Sequence, residues 1–136
     1  MDFLKSIAIA ASGLRAQAGR MRIIAENLAN ADSTAPRTGA DPYRRKIVTF
    51  RSEIDRSLDA QVVAIGRVRT DMTDFRMKYE PGNPAADTNG NVKYPNVNSL
   101  IEMTDMREAQ RSYEANLNLI GASRRMIQRT LDILKS

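Results

Sequence analysis

The chain has 136 residues, no cysteine, no histidine, no tryptophan and a formal charge of +5. That is about one domain's length, and it excludes disulfides, thiolate nucleophiles, imidazole bases and the usual zinc ligands together. The charge is spread as +2 over residues 1–30, +2 over 31–98 and +1 over 99–136, whereas a nucleic-acid binder usually concentrates it on one face.

Hydrophobic residues make up 42% of the chain but aromatic ones only 5%. Large rings usually dominate a compact core, so the expected core is thin and aliphatic.

Asp2 is placed to cap a first helix over residues 3–29. Ile7, Leu14, Met21 and Leu28 recur every seven residues along it, the mark of a helix that packs against other helices. Gly13 and Gly19 lie inside the span. They read equally well as tolerated surface glycines or as points of close approach by a neighbour. The start is read as mature helix rather than a cleaved signal, because Asp2 offsets Lys5 and the apolar run over residues 7–11 is short for one.

All five prolines (Pro36, Pro42, Pro81, Pro84, Pro95) lie between residues 30 and 98. Residues 30–42 read as loop. Residues 43–50 read as a strand, in which the triplet Arg44-Arg45-Lys46 alternates faces and is expected to be solvated or subunit-facing. Phe50, Ile54 and Leu58 stand four apart and predict a short helical turn. Residues 62–65 with Val68, and residues 74–79, predict two further strands. Residues 81–98 read as extended and turn-rich around Asn89-Gly90. Asp87 to Asn91 only superficially resembles a calcium loop, since its glycine is fourth rather than sixth and Asn98 stands where a bidentate Glu is needed.

Ser99 and Glu102 match a capping box that opens a second long helix over residues 100–134. Met106, Tyr113, Ile120, Ile127 and Leu134 repeat every seven residues, with Gln110 and Arg124 interrupting the adjacent row. Glu102, Asp105 and Glu108 share a face, but acidic residues near a helix start are favoured by its dipole, and no histidine, lysine pocket or glycine-rich phosphate loop accompanies them. The alanine-rich first helix, with mixed charges, fits poorly on a membrane surface.

The fold class predicted is mainly α with a small β insertion. The long terminal helices would pack as an antiparallel, coiled-coil-like hairpin. Residues 1–30 and 99–136 would form a helical assembly core, and residues 31–98 a loop and β-containing insertion. The expected assembly interface is Ile7, Leu14, Met21, Leu28, Met106, Tyr113, Leu117, Ile120, Ile127 and Leu131. A lone helical hairpin buries one side of each helix, so the ends should be weakly ordered in a free monomer and order on assembly. No cofactor, metal or catalytic residue is expected.

Several segments together resemble the flagellar basal-body rod proteins, specifically the proximal-rod type. They are Ala25-Glu-Asn-Leu-Ala-Asn30 followed by Ser33-Thr34, and Pro42-Tyr-Arg-Arg-Lys46. Tyr79-Glu-Pro-Gly-Asn-Pro-Ala-Ala-Asp87 and Tyr94-Pro-Asn-Val-Asn98 follow in the middle. Glu102-Met-Thr-Asp-Met106 and Arg111-Ser-Tyr-Glu-Ala-Asn116 complete the series. The motifs stand in the family's order over nearly the whole chain. Asn83 replaces a common His and Asn91 a common Tyr. The motif positions carried over are Asn27, Asn30, Tyr43, Pro95, Asn96 and Asn98, expected to shape the junctions between helices and insertion.

The resemblance implies a non-enzymatic subunit of the periplasm-spanning drive shaft. Such subunits are exported unfolded through the flagellar type III apparatus without signal cleavage. The partners implied are other rod subunits, copies of the chain itself and the basal-body ring proteins, with no nucleic acid and no stable membrane insertion. A nucleic-acid-binding coiled-coil protein and a subunit of a non-flagellar secretion-system filament remain as alternative readings of the heptads alone.

Overall fold

The computed structural model describes residues 2–136. Two helices, α1 (Phe3–Ala29) and α2 (Ser99–Lys135), account for nearly half of the chain. The Asp2 carboxylate accepts the Leu4 N–H at 2.9 Å and its carbonyl accepts that of Ser6, so α1 starts at the expected cap. No helix among the described residues is long and apolar enough to cross a membrane.

The start of α2 differs from expectation. Asn98, not Ser99, is the cap: its Oδ1 accepts the N–H groups of Leu100 and Ile101 at 3.1 and 3.4 Å. The capping box does not form, because the Glu102 carboxylate is drawn to Arg45 and Asn27 instead. Asn is as good a cap as Ser, and a guanidinium is the stronger partner for a carboxylate.

Residues between the helices form three separate two-stranded antiparallel sheets. Strand β1 (Lys46–Ile47) pairs with β4 (Arg69–Thr70), β2 (Phe50–Asp55) with β3 (Ala60–Ile65), and β5 (Arg76–Tyr79) with β6 (Asn91–Tyr94). The strand predicted over 43–50 therefore breaks into β1 and the first residue of β2. The helical turn predicted from Phe50, Ile54 and Leu58 is a strand and a hairpin loop. A spacing of four puts two residues on one face of a strand as well as of a helix, so that signal was ambiguous. Residues 81–98 contain β6, whose inward residue is the fully buried Val92.

The Asn89-Gly90 turn forms as predicted. Gly90 is left-handed (φ 84°), and the Asp87 carboxylate accepts the N–H groups of Asn89 and Asn91.

The chain divides into two compact units. One contains α1 up to Met21, Thr49–Arg67 and Arg107–Ser136. In it the helices run antiparallel: Gly13 lies against Asn116, and Arg20 reaches Glu108 at 3.5 Å. The β2–β3 hairpin docks on α1, where Ser12 Oγ accepts the Val63 N–H at 3.2 Å and Ile65 fills the space above Gly19. An isolated hairpin is marginal in water, and this docking supplies the support it lacks.

The other unit contains Arg22–Val48 and Val68–Met106. Its buried residues include Ile23, Ile24, Ala31, Val92, Pro95 and Val97 around the side chains of Asn27 and Glu102.

Candidate assembly interface

In the unit of residues 22–48 and 68–106, buried polar chemistry converges on Asn27, which is fully buried on the last turn of α1. Its Oδ1 accepts the Tyr43 hydroxyl at 2.7 Å and the Lys46 backbone N–H at 2.9 Å. Its Nδ2 donates to the Lys46 carbonyl at 2.9 Å and to Glu102 Oε2 at 3.2 Å. The amide thus pairs with the β1 backbone as a neighbouring strand would, while joining α1 to α2. All four of its hydrogen-bonding positions are filled.

Glu102 is 1% exposed. A carboxylate at that depth needs a cation and hydrogen bonds to remain charged. Arg45 supplies the cation through Nε, with Asp71 at 3.5 Å and Asp105 at 3.8 Å around the same guanidinium. Burial opposes the Arg45 charge, but the hydrogen bond and charge of Glu102, with Asp71, hold its pKa above the ordinary value. Asp71 is held below the usual carboxylate range, first by the Thr73 backbone N–H and then by Arg45. The Tyr43 phenol is pushed up to about 12 by burial and by the negative charges of Glu26 and Glu102.

Asn96 completes the cluster. Its Oδ1 accepts the Arg45 N–H at 2.8 Å, and its Nδ2 donates to the carbonyls of Asp71 and Thr73. Asn30 turns back to the Glu26 carbonyl at 2.8 Å. Buried Pro95 offers its carbonyl to Arg76 Nε at 3.0 Å, and the same guanidinium reaches the Ala31 carbonyl at 2.8 Å. Asn27, Tyr43, Asn96 and the capping Asn98 therefore belong to one locality.

The family motifs mark those asparagines but do not mark Arg45 as their electrostatic centre. The basic triplet is not the solvated or subunit-facing strand expected. Arg44 stacks over Phe75, 4.0 Å from the ring centre, Arg45 is in the ion cluster and Lys46 pairs with Glu26. Of the three carboxylates expected to share a face, Glu102 and Asp105 both face Arg45 and Glu108 pairs with Arg20. The signal available in the sequence was alternation: Arg45 faces opposite to Arg44 and Lys46 on an extended segment.

In the unit of residues 49–67 and 107–136, the buried side chains of both helices are small: Ala10, Ser12 and Ala16 on α1, Ala109 and Ser123 on α2. The large heptad residues are not among them. Ile7, Leu14 and Met21, with Tyr113, Ile120 and Ile127, are half-buried, while Leu117 is 51% and Leu131 46% exposed. Leu119, Met126, Ile133 and Leu134 add further exposed apolar surface on α2. Leu28 and Met106, in the other unit, are likewise half-buried.

The row of α2 that meets α1 is the one carrying Ala109 and Asn116, offset from the Met106–Tyr113–Ile120–Ile127 row that hydrophobicity picks out. Small residues give the close intramolecular contact, and the large ones flank it.

Comparison with known proteins gives the same answer at both ends of the chain. Residues 7–35 match the family described as "Flagella basal body rod protein", and residues 88–133 the family described as "Flagellar basal body rod FlgEFG protein C-terminal". The flagellar basal-body rod protein FlgC of Agrobacterium fabrum is 56% identical over 128 residues, covering 94% of this chain and 92% of the relative. That of Salmonella typhimurium is 40% identical over 135 residues, covering 98% of each. That of Bacillus subtilis is 35% identical, covering 99% of this chain and all of the relative.

Proposed function

Because the chain belongs to the FlgC family of flagellar basal-body rod proteins, we propose that it polymerises through its terminal helices and transmits torque across the periplasm. It is a structural component of the rod, not an enzyme.

The observation that carries the polymerisation reading is the disposition of the heptad residues. A monomer that buries Ala and Ser between its helices, while leaving Leu117, Leu119, Met126, Leu131 and Ile133 in water, has an apolar surface larger than its own contacts use. Leu117 with Leu131, and Leu119 with Met126 and Ile133, form two exposed apolar rows on opposite sides of α2, and exposed apolar surface of this kind marks an interaction site. Complete burial of such a side chain contributes about 2 kcal/mol. Most of these are already about half buried, so covering each adds about 1 kcal/mol, and five per subunit still favour association.

In this reading residues 1–30 and 99–136 form the assembly core and residues 31–98 the outer insertion. The partners are other rod subunits, copies of the chain and the basal-body ring proteins. The chain reaches the periplasm through the flagellar type III apparatus without signal cleavage, and its ends become fully ordered in the rod. The Asn27–Arg45–Glu102 cluster serves as the fixed junction between helices and insertion.

The experiment is substitution at the flanking rows. Leu14→Asp and Ile120→Asp should each abolish incorporation into basal bodies while the chain is still exported. Normal rods and motility in both variants would exclude the helical faces as the assembly surface.

A further inference from the structure

The outer edge of β2 is open, and its sequence is complementary to itself. The phase of the β2–β3 ladder is fixed by the Gly66 N–H donating to the Thr49 carbonyl at 2.7 Å. With Phe50 opposite Ile65 and Asp55 opposite Ala60, residues 51, 53 and 55 exchange bonds with β3. Phe50, Ser52 and Ile54 therefore point their N–H and C=O groups away from it. Val63, opposite Ser52, shows the same phase: its N–H faces away from β2 and is taken by Ser12. No equivalent partner meets the three outward residues of β2 among the described residues. Phe50 is 42% and Ile54 68% exposed, and Arg51, Ser52 and Glu53 are exposed as well.

We propose that β2 pairs antiparallel with β2 of a second copy of this chain, about a two-fold axis through Ser52, joining two hairpins into one four-stranded sheet. The register follows from the side chains. With Ser52 opposite Ser52, Phe50 falls opposite the second copy's Ile54, and Arg51 falls opposite its Glu53. Both directions of the pairing place apolar on apolar and cation on anion, which a one-residue slip would undo. The backbone phase agrees, since the residues with free N–H and C=O groups are the ones that become hydrogen-bonded pairs. Arg51 and Glu53 become the closer non-hydrogen-bonded pairs, where side chains interact most. These two already pair along β2, so the dimer interleaves two existing pairs into a four-charge square.

An open edge is a pairing template unless something blocks it, and neither proline nor an unbalanced charge does so here. The contact is closed and two-fold, whereas a polar tube grows by head-to-tail contacts. The dimer is therefore a form of the free chain, separate from the rod reading and independent of it.

The test is sedimentation of the purified full-length chain over a concentration series. The expected particle has twice the 15.2 kDa chain mass. Ser52→Pro should make it monomeric, because proline removes the outward N–H at the axis without touching the β2–β3 ladder. Arg51→Glu alone and Glu53→Arg alone should each weaken dimerisation about ten-fold or more. An equimolar mixture of the two should dimerise again, as should the double variant Arg51→Glu/Glu53→Arg. A wild-type chain that stays monomeric at every concentration overturns the proposal. So does a dimer indifferent to the charge reversals, which involve no proline and so no loss of backbone geometry. Incorporation of a monomeric Ser52→Pro chain into rods separates this result from the helical assembly reading.

Discussion

At the residue scale, the Arg45–Glu102 pair shows how a buried charge is kept. Three carboxylates surround one guanidinium, so the two partners are not equivalent. Removing Glu102 leaves Arg45 with Asp71 and Asp105; removing Arg45 leaves Glu102 buried without a cation. Breaking a buried pair costs about 3–5 kcal/mol. Glu102→Ala is expected near the lower end and Arg45→Ala near the upper end, measured by urea unfolding. Equal losses would mean that Asp71 and Asp105 do not share the Arg45 charge. Tyr43 gives a pH signature of the same cluster. Its folded pKa of about 12 lies above the ordinary phenol value of 10.0, so the unfolded chain releases that proton first. The stability Tyr43 contributes is therefore complete below pH 10 and lost as pH rises toward 12. Absorbance titration should show one phenol ionising late, and Tyr43→Phe should remove both that phase and the stability loss.

At the scale of elements, the glycines of α1 decide how closely its neighbours approach. A Cβ on Gly19 would stand 2.0 Å from Ile65 Cδ1, and one on Gly13 would stand 2.8 Å from Asn116 Nδ2. Both are points of close approach, which resolves the two readings the sequence allowed. Alanine at position 19 would gain about 1 kcal/mol of helix propensity but overpack the hairpin contact by about 1–3 kcal/mol. Gly19→Ala alone should therefore destabilise the chain by about 1 kcal/mol. In an Ile65→Ala background the same change should stabilise by about 1 kcal/mol, because the obstructing atom is gone. Additive effects in thermal unfolding of the four chains of this cycle would show that Ile65 does not set the need for glycine. The helices were legible because 27 and 37 residues give many periods of a repeat. The strands were less so: β1 and β4 have two residues each, too few to display alternation, and β6 carries a single inward apolar residue.

At the scale of the whole molecule, the surface that holds the monomer together and the surface available to neighbours are chemically different. Ala109 is fully buried and Leu117 is 51% exposed, although both lie on α2. Ala109→Asp should unfold the chain, since it buries a carboxylate without a partner. Leu117→Asp should leave the melting temperature within a few degrees and reduce incorporation into basal bodies. A large loss of stability from Leu117→Asp would place that residue in the monomer's own core.

The sequence by itself determined the two helices, the insertion between them and the family, because each is written in local periodicity or in contiguous motifs. It also marked Asn27, Tyr43, Asn96 and Asn98 as positions of interest. Only the tertiary structure decided that Arg45 holds them together, that Glu102 serves Arg45 rather than a cap, and that the hairpin rests on Gly19. The physical reason is the same in each case. These are pairings between residues 46 to 75 positions apart, and their strength depends on burial and distance, which no local pattern encodes.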